Sequence, residues 1–192
     1  MKTVIIGGTF NPIHNGHLYL SEELKLQLGY ERVLFIPSNF QAHKSRAELV
    51  STDDRIKMIN LALEDSSSSI DLCEIERGGV SYMVDTIKDI SSKFSISGKS
   101  GLFIGDDLIT GMKDWHNINE LLDLVDIVVA HRDSEEEYKT TIPLKYLDNV
   151  SIHISSSDIR QRISSGRAFR YLVPEKVYKY ILKKDLYNKD VP

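Results

Sequence analysis

KTVIIGGTFNPIHNGHLYL, residues 2–20, joins three unlike pieces. KTVII at 2–6 is a short β-branched run and reads as a strand. GGTFNP punctuates it with two glycines and a proline, the residues of a turn. From Asn15 to Leu28, Leu18, Leu24 and Leu28 recur at helical spacing on one face. A strand that runs through a glycine-rich turn into a helix is the opening unit of an α/β fold, and the rest of the chain continues the alternation.

RVLFIP at 32–37 reads as a second strand, ended by Pro37. Residues 51–64 read as a helix, with Ser51 and Asp54 matching a capping box and Ile56, Ile59 and Leu63 on one face. IDLCEI at 70–75 reads as a third strand after the serine loop at 66–69. Ser81 precedes a helix carrying Val84, Ile87 and Ile90 in register. GLFIG at 101–105 and VDIVVA at 125–130 are too continuously apolar to have a wet face, and VSIHI at 150–154 reads as the last strand. Ser155 and Asp158 cap a helix to about Ser165, closed by Gly166, and a final helix starts near Pro174. The acidic run at 135–137 reads as a solvated loop and residues 188–192 as a frayed tail. The expected fold is α/β: a doubly wound parallel sheet, one domain over 1–192, with a small C-terminal helical portion from about 155. Such sheets bind ligands at the carboxyl ends of their strands, near the point where strand order reverses.

The composition is that of an ordinary globular domain: 192 residues, 41% hydrophobic and 27% charged, with a net charge of −4. The acidic balance and the lack of a basic stripe argue against nucleic acid as a partner. No run approaches the roughly 18 apolar residues of a membrane span, and the N-terminus is broken too early by glycine for a secretory signal. The single cysteine, Cys73, excludes an internal disulfide and reads as an inert core residue. A soluble cytoplasmic protein is the expectation, and a homo-oligomer stays open.

GGTFNPIHNGH has neither the GxGxxG spacing of dinucleotide oxidoreductases nor the GK[ST] ending of a P-loop. Its position nevertheless suits phosphate. Free N–H groups and the positive end of a helix dipole attract anions, and Gly7 and Gly8 let backbone approach a ligand closely. His14 and His17, at i and i+3, lie on one side of the first helical turn, where both can donate to one phosphate chain. ISSSDIRQRI at 154–163 offers a second anion site: Ser156 and Ser157 at a helix N-terminus, with Arg160 able to fork two oxygens. Lys44 follows strand two at the ligand edge and is a candidate clamp on a triphosphate. Gly105 ends a buried strand, and Asp107 beside it can accept from ribose hydroxyls. Arg132 follows the VDIVVA strand to the same edge. Trp115, the only tryptophan, sits in polar MKDWHN, which suits a ring at a pocket wall. No His, Cys or carboxylate cluster has zinc spacing, so no protein-held metal is expected.

GGTFNPIHNGHL at 7–18 and ISSSDIR at 154–160 resemble the signatures of the HxGH nucleotidyltransferase superfamily. AHK at 42–44, ERGGVSYMVDT at 76–86, FIGDDL at 103–108, KDW at 113–115 and LVPEKVYKYI at 172–181 are similar to the bacterial nicotinate-nucleotide adenylyltransferase branch, so the likeness runs almost end to end. It implies a Rossmann-like mononucleotide-binding fold. It implies transfer of AMP from ATP to nicotinate mononucleotide, with pyrophosphate leaving and Mg2+ arriving with ATP. It assigns catalysis to His14, His17, Lys44 and Arg160, and ATP binding to Gly7, Gly8, Thr9, Phe10, Gly105, Asp107, Arg132, Ser156 and Ser157. Tyr82, Met83 and Trp115 fall to the acceptor, the tryptophan stacking on its pyridine ring. Two positions depart from the family's usual residues: Asn11 stands where aspartate is common, and Met83 where threonine is. Nicotinamide mononucleotide or phosphopantetheine as acceptor, and a non-catalytic nucleotide-binding module, are the alternatives. The intact HNGH and the arginine after ISSS count against the last.

Overall fold

The computed structural model describes residues 1–39, 50–131 and 138–188. Among them, β1 (Thr3–Gly8), β2 (Arg32–Pro37), β3 (Ser69–Ile70), β4 (Ser100–Gly105), β5 (Val125–Ala130) and β6 (Leu144–Tyr146) form one sheet in the order β3-β2-β1-β4-β5-β6. Every pairing is parallel. Chain order runs outward from β1 to β2 and β3 on one side, then jumps to β4 on the other. The reversal therefore lies between β1 and β4, at the glycines that end both strands.

The helices are α1 (Asn15–Leu28), α2 (Thr52–Leu63), α3 (Cys73–Arg77), α4 (Met83–Lys93), α5 (Ile118–Leu124), α6 (Ser156–Ser164) and α7 (Glu175–Lys184). Alternation along β1 explains how they divide. Val4 and Ile6 point into a core with Leu24 of α1, Met58 and Ile59 of α2, Ile159 of α6 and Val177 and Ile181 of α7. Ile5 points the opposite way, into a core with Val84, Ile87 and Ile90 of α4 and Leu121 of α5. Because both faces are covered, the strands are apolar throughout and the sheet is doubly wound. The ends of the helices follow from local chemistry. Gly29, at φ 65°, ends α1 with its N–H on Lys25 O. Ser51 caps α2 by accepting from the Asp54 N–H at 3.0 Å.

Two expected strands are corrected. Only Ser69 and Ile70 pair with β2, so the serine loop runs into the sheet one residue early and residues 73–77 are helical. The Asp71 carboxylate accepts the Cys73 N–H at 2.9 Å, a local cap that turns the backbone into α3. A run as short as LCEI cannot be told from buried helix by its apolar content. Cys73 is buried all the same, and burial, with the Asp71 carboxylate adding, pushes its thiol up to about 12. The edge strand beside β5 is Leu144–Tyr146, and residues 150–154 are not a strand. The chain leaves the edge after Leu147, whose N–H still donates to Val129 O. It is then drawn onto α1: Gln27 pairs with Asp148 through both backbone groups at 2.7 and 3.0 Å, and the Val150 N–H reaches the Tyr19 hydroxyl. The acidic run at 135–137 and the tail beyond Asn188 lie outside the described residues. Among the described residues no helix is long and apolar enough to cross a membrane.

Candidate active site

At the carboxyl end of β1 the chain passes Gly7, Gly8 and Thr9, which keep solvent access, and then dives. Phe10 takes φ 48° and buries its ring edge-on to Phe35 and to His17. Any part Phe10 plays toward a nucleotide therefore falls to its backbone. A side chain at position 8 would crowd that turn, since an added Cβ would stand 3.0 Å from the Phe10 ring.

His14 is the N-cap of α1, extended at φ −142°, and His17 is the third residue of the helix. The His14 N–H donates to His17 Nδ1 at 3.2 Å, and the two rings stack with centroids 3.6 Å apart. This is a capping box built from histidines. An accepting Nδ1 leaves the His17 ring proton on Nε2, so the far nitrogen is the donor. Gly16 explains the middle of the motif: a Cβ there would lie 3.1 Å from His14 Nδ1, where the ring already sits. Spacing located the histidine pair but did not reveal this need for glycine.

The late serine cluster meets the same turn. Ser155 caps α6 by accepting the Asp158 N–H at 3.0 Å. The Ser156 hydroxyl donates to Pro12 O at 2.8 Å. Arg160 donates to Asn11 O at 3.0 Å and to the Ser157 hydroxyl at 3.3 Å. Ile154, just before the helix, packs 3.9 Å from the Cβ position of Gly16. The N-termini of α1 and α6 are thus held together, both with their positive dipole ends at one strand terminus. Asn11 is buried, its side-chain oxygen accepting from the Tyr187 hydroxyl at 2.9 Å and from the Val50 N–H at 3.4 Å.

Across the reversal point, Met83 begins α4 and lays its methyl 3.0 Å from the Cβ position of Gly7. Tyr82, the N-cap, is exposed and packs its ring on His116 at 4.2 Å. Trp115 is half-buried against the second core. Tyr82, Met83 and the 115–116 pair therefore flank one opening, and His116 is a residue the sequence reading passed over. Gly105 ends β4 and Asp107 stands exposed in the single turn that follows, while its neighbour Asp106 is fully buried. Under Tyr82, the buried Glu74 carboxylate accepts from the Thr86 hydroxyl at 2.7 Å, and burial raises its pKa. Lys44 and Arg132, expected at the same edge, lie outside the described residues. Among the described residues no group of three His, Cys, Asp or Glu side chains is arranged to hold a metal ion.

A strand-end turn flanked by two helix N-termini, with histidine, serine and arginine donors on one side and aromatic rings on the other, is the candidate active site. A cytidylyltransferase-like family model matches residues 5–162. A probable nicotinate-nucleotide adenylyltransferase of Borrelia garinii is 43% identical over all 192 residues, covering 97% of that protein. One of Streptococcus pyogenes is 38% identical over 96% of this chain and 87% of its own. The fold is similar to that of Plasmodium falciparum nicotinic acid mononucleotide adenylyltransferase complexed with NaAD, with a TM-score of 0.79 at 18% identity over 97% of this chain and 98% of that one. The chain belongs to the cytidylyltransferase-like family and, within it, to the nicotinate-nucleotide adenylyltransferases.

Proposed function

We propose that this enzyme transfers AMP from ATP to nicotinate mononucleotide, giving deamido-NAD and pyrophosphate in NAD biosynthesis. A 5′-phosphate oxygen of the acceptor attacks the α-phosphorus in line; the bond to the β-phosphoryl oxygen breaks, and its electrons leave with pyrophosphate. The nucleophile is already ionised at neutral pH, so no general base and no covalent intermediate are needed. The protein's task is to bring two polyanions together and stabilise charge moving to the leaving group.

The observation that carries this reading is the latch between the two phosphate features, Ser156 to Pro12 and Arg160 to Asn11. It supports a single triphosphate held from two sides. His14, His17, Lys44 and Arg160 act on the reacting phosphates. Gly7, Gly8, Thr9 and Phe10 offer backbone, and Ser156 and Ser157 hold the leaving portion. Gly105, Asp107 and Arg132 serve the adenosine side. Mg2+ brought with ATP would supply charge neutralisation on the phosphates, without a ligand cluster of its own among the described residues.

On the acceptor side, Trp115 stacks the pyridine ring between Tyr82 and Met83. The Met83 methyl lies over Gly7 and a thioether offers no hydrogen-bond donor, so recognition of the pyridine carboxylate falls to backbone N–H groups at the start of α4 rather than to that side chain. In this reading one domain carries the whole reaction, and the enzyme works in the cytoplasm, where ATP is at hand. The test is an acceptor panel. Pyrophosphate release and dinucleotide product are measured with ATP and nicotinate mononucleotide, nicotinamide mononucleotide or phosphopantetheine in turn. Nicotinate mononucleotide is expected to be preferred at least tenfold in kcat/KM; equal or better use of another acceptor overturns the assignment.

A further inference from the structure

Arg55 is among the largest side chains the fold buries completely, at 1% exposure. It sits on α2 four residues before Ile59, on the face turned to the sheet. Its Nη1 donates to Thr9 O at 2.8 Å and to Ser38 O at 2.9 Å, and its Nη2 to the Thr52 hydroxyl at 3.2 Å. Thr9 and Ser38 are the residues immediately beyond β1 and β2, whose last pair is Gly8 with Pro37. One guanidinium therefore ties off two neighbouring strands at their ligand ends.

Burying a guanidinium is costly, and the usual remedy is a carboxylate partner. Among the described residues Arg55 makes no ion pair; its partners are two carbonyls and a hydroxyl, all neutral. A charge that none of the described acids pairs with projects its field outward, more strongly for being in a poorly polarisable interior. The peptide group adds direction. Holding Thr9 O inward points the N–H of the same peptide, that of Phe10, the opposite way. A helix–sheet contact could have been filled by leucine at lower cost, so packing does not account for the arginine.

We propose that Arg55 is a positioning residue for the ATP triphosphate: it fixes the turn after β1 so that its N–H groups face the ligand, and it places a permanent cation beneath that turn. This rests on the reading that the triphosphate binds at residues 7–17. Arg55 itself stays behind the backbone and does not touch substrate.

The test uses full-length Arg55→Met and Arg55→Lys, checked for folding by circular dichroism. ATP and acceptor are varied separately in steady-state assays, and Mg-ATP binding is measured by calorimetry without acceptor. Arg55→Met is expected to raise KM for ATP and the calorimetric Kd at least tenfold while KM for the acceptor moves less than twofold. Arg55→Lys, which keeps charge but not the two-pronged reach, should recover part of the loss. If Arg55→Met does not fold, Arg55→Lys alone carries the test, with an ATP-selective rise of at least threefold expected. Unchanged ATP binding in a folded variant, or equal rises for both substrates, overturns the proposal. Failure of the underlying reading looks different: His17→Ala would then leave ATP handling untouched, or the wild type would not bind Mg-ATP at all.

Discussion

At the residue scale, the HNGH motif is a problem in close packing as much as in chemistry. His14 closes the helix with its own backbone N–H on His17 Nδ1, so one imidazole is oriented by the other's main chain. The missing side chain at Gly16 leaves room for the first ring, which would otherwise stand 3.1 Å from a Cβ. A donor fixed in advance costs no reorganisation when charge develops on the leaving phosphates. His17→Ala is accordingly expected to lower kcat about 10²–10³-fold, by analogy with the loss of one oxyanion donor. Because His17 also takes part in the cap, the variant's helicity and melting temperature are measured alongside. A loss under about tenfold in folded protein would show that His17 is not a principal stabiliser.

At the scale of elements, α2 and α7 show how a helix far along the chain is fastened. The Tyr180 hydroxyl donates to Asp54 at 2.7 Å, and the Ser51 hydroxyl donates to the same carboxylate at 2.5 Å. The Ser51 hydrogen bond holds the Asp54 carboxyl below its ordinary range, burial opposes it, and the Tyr180 bond adds to the lowering. A depressed carboxylate contributes stability in full above its unfolded value of about 3.9 and loses it as pH falls through and below that value. Asp54→Asn should therefore be less stable than wild type near pH 6, by about 1 kcal/mol or less because water screens the group. The gap should narrow as pH falls below the unfolded value and close once pH is below the depressed folded value. Urea midpoints across that range decide it, and a gap that does not shrink on acidification would remove Asp54 from the account. Elements also mark where local pattern failed. The 150–154 run alternates well enough for a strand, but the Tyr19 hydroxyl of α1 takes the Val150 N–H at its start, and Gln27 of α1 holds Asp148 just before it.

For the molecule as a whole, the sheet separates two cores that share no buried residue. Ile5 and Leu24 are each fully buried, on opposite faces. Ile5→Val should cost about 0.5–1.5 kcal/mol and Leu24→Ala about 2–5 kcal/mol. With the two side chains in separate cores, the double variant should lose the sum within about 0.5 kcal/mol. Denaturant unfolding of the four proteins checks this; a larger coupling would mean that the sheet transmits strain from one face to the other.

What the sequence determined by itself was the part written in local chemistry. Buried strands on both faces, helical periodicity and caps such as Ser51 and Ser155 specified a doubly wound parallel sheet, and residues 7–17 and 154–160 marked the two segments that meet at its carboxyl edge. Each of these signals lies within a few residues of its effect. The tertiary structure alone decided what depends on distant partners: the seat of Ser156 on Pro12, 144 residues away, the edge strand at Leu144–Tyr146, and the packing of Met83 on Gly7. Arg55 belongs with these. A helix-facing arginine looks like any solvated charge until the carbonyls of Thr9 and Ser38 close over it, because hydrogen-bond satisfaction is a property of the assembled fold and not of the spacing along a chain.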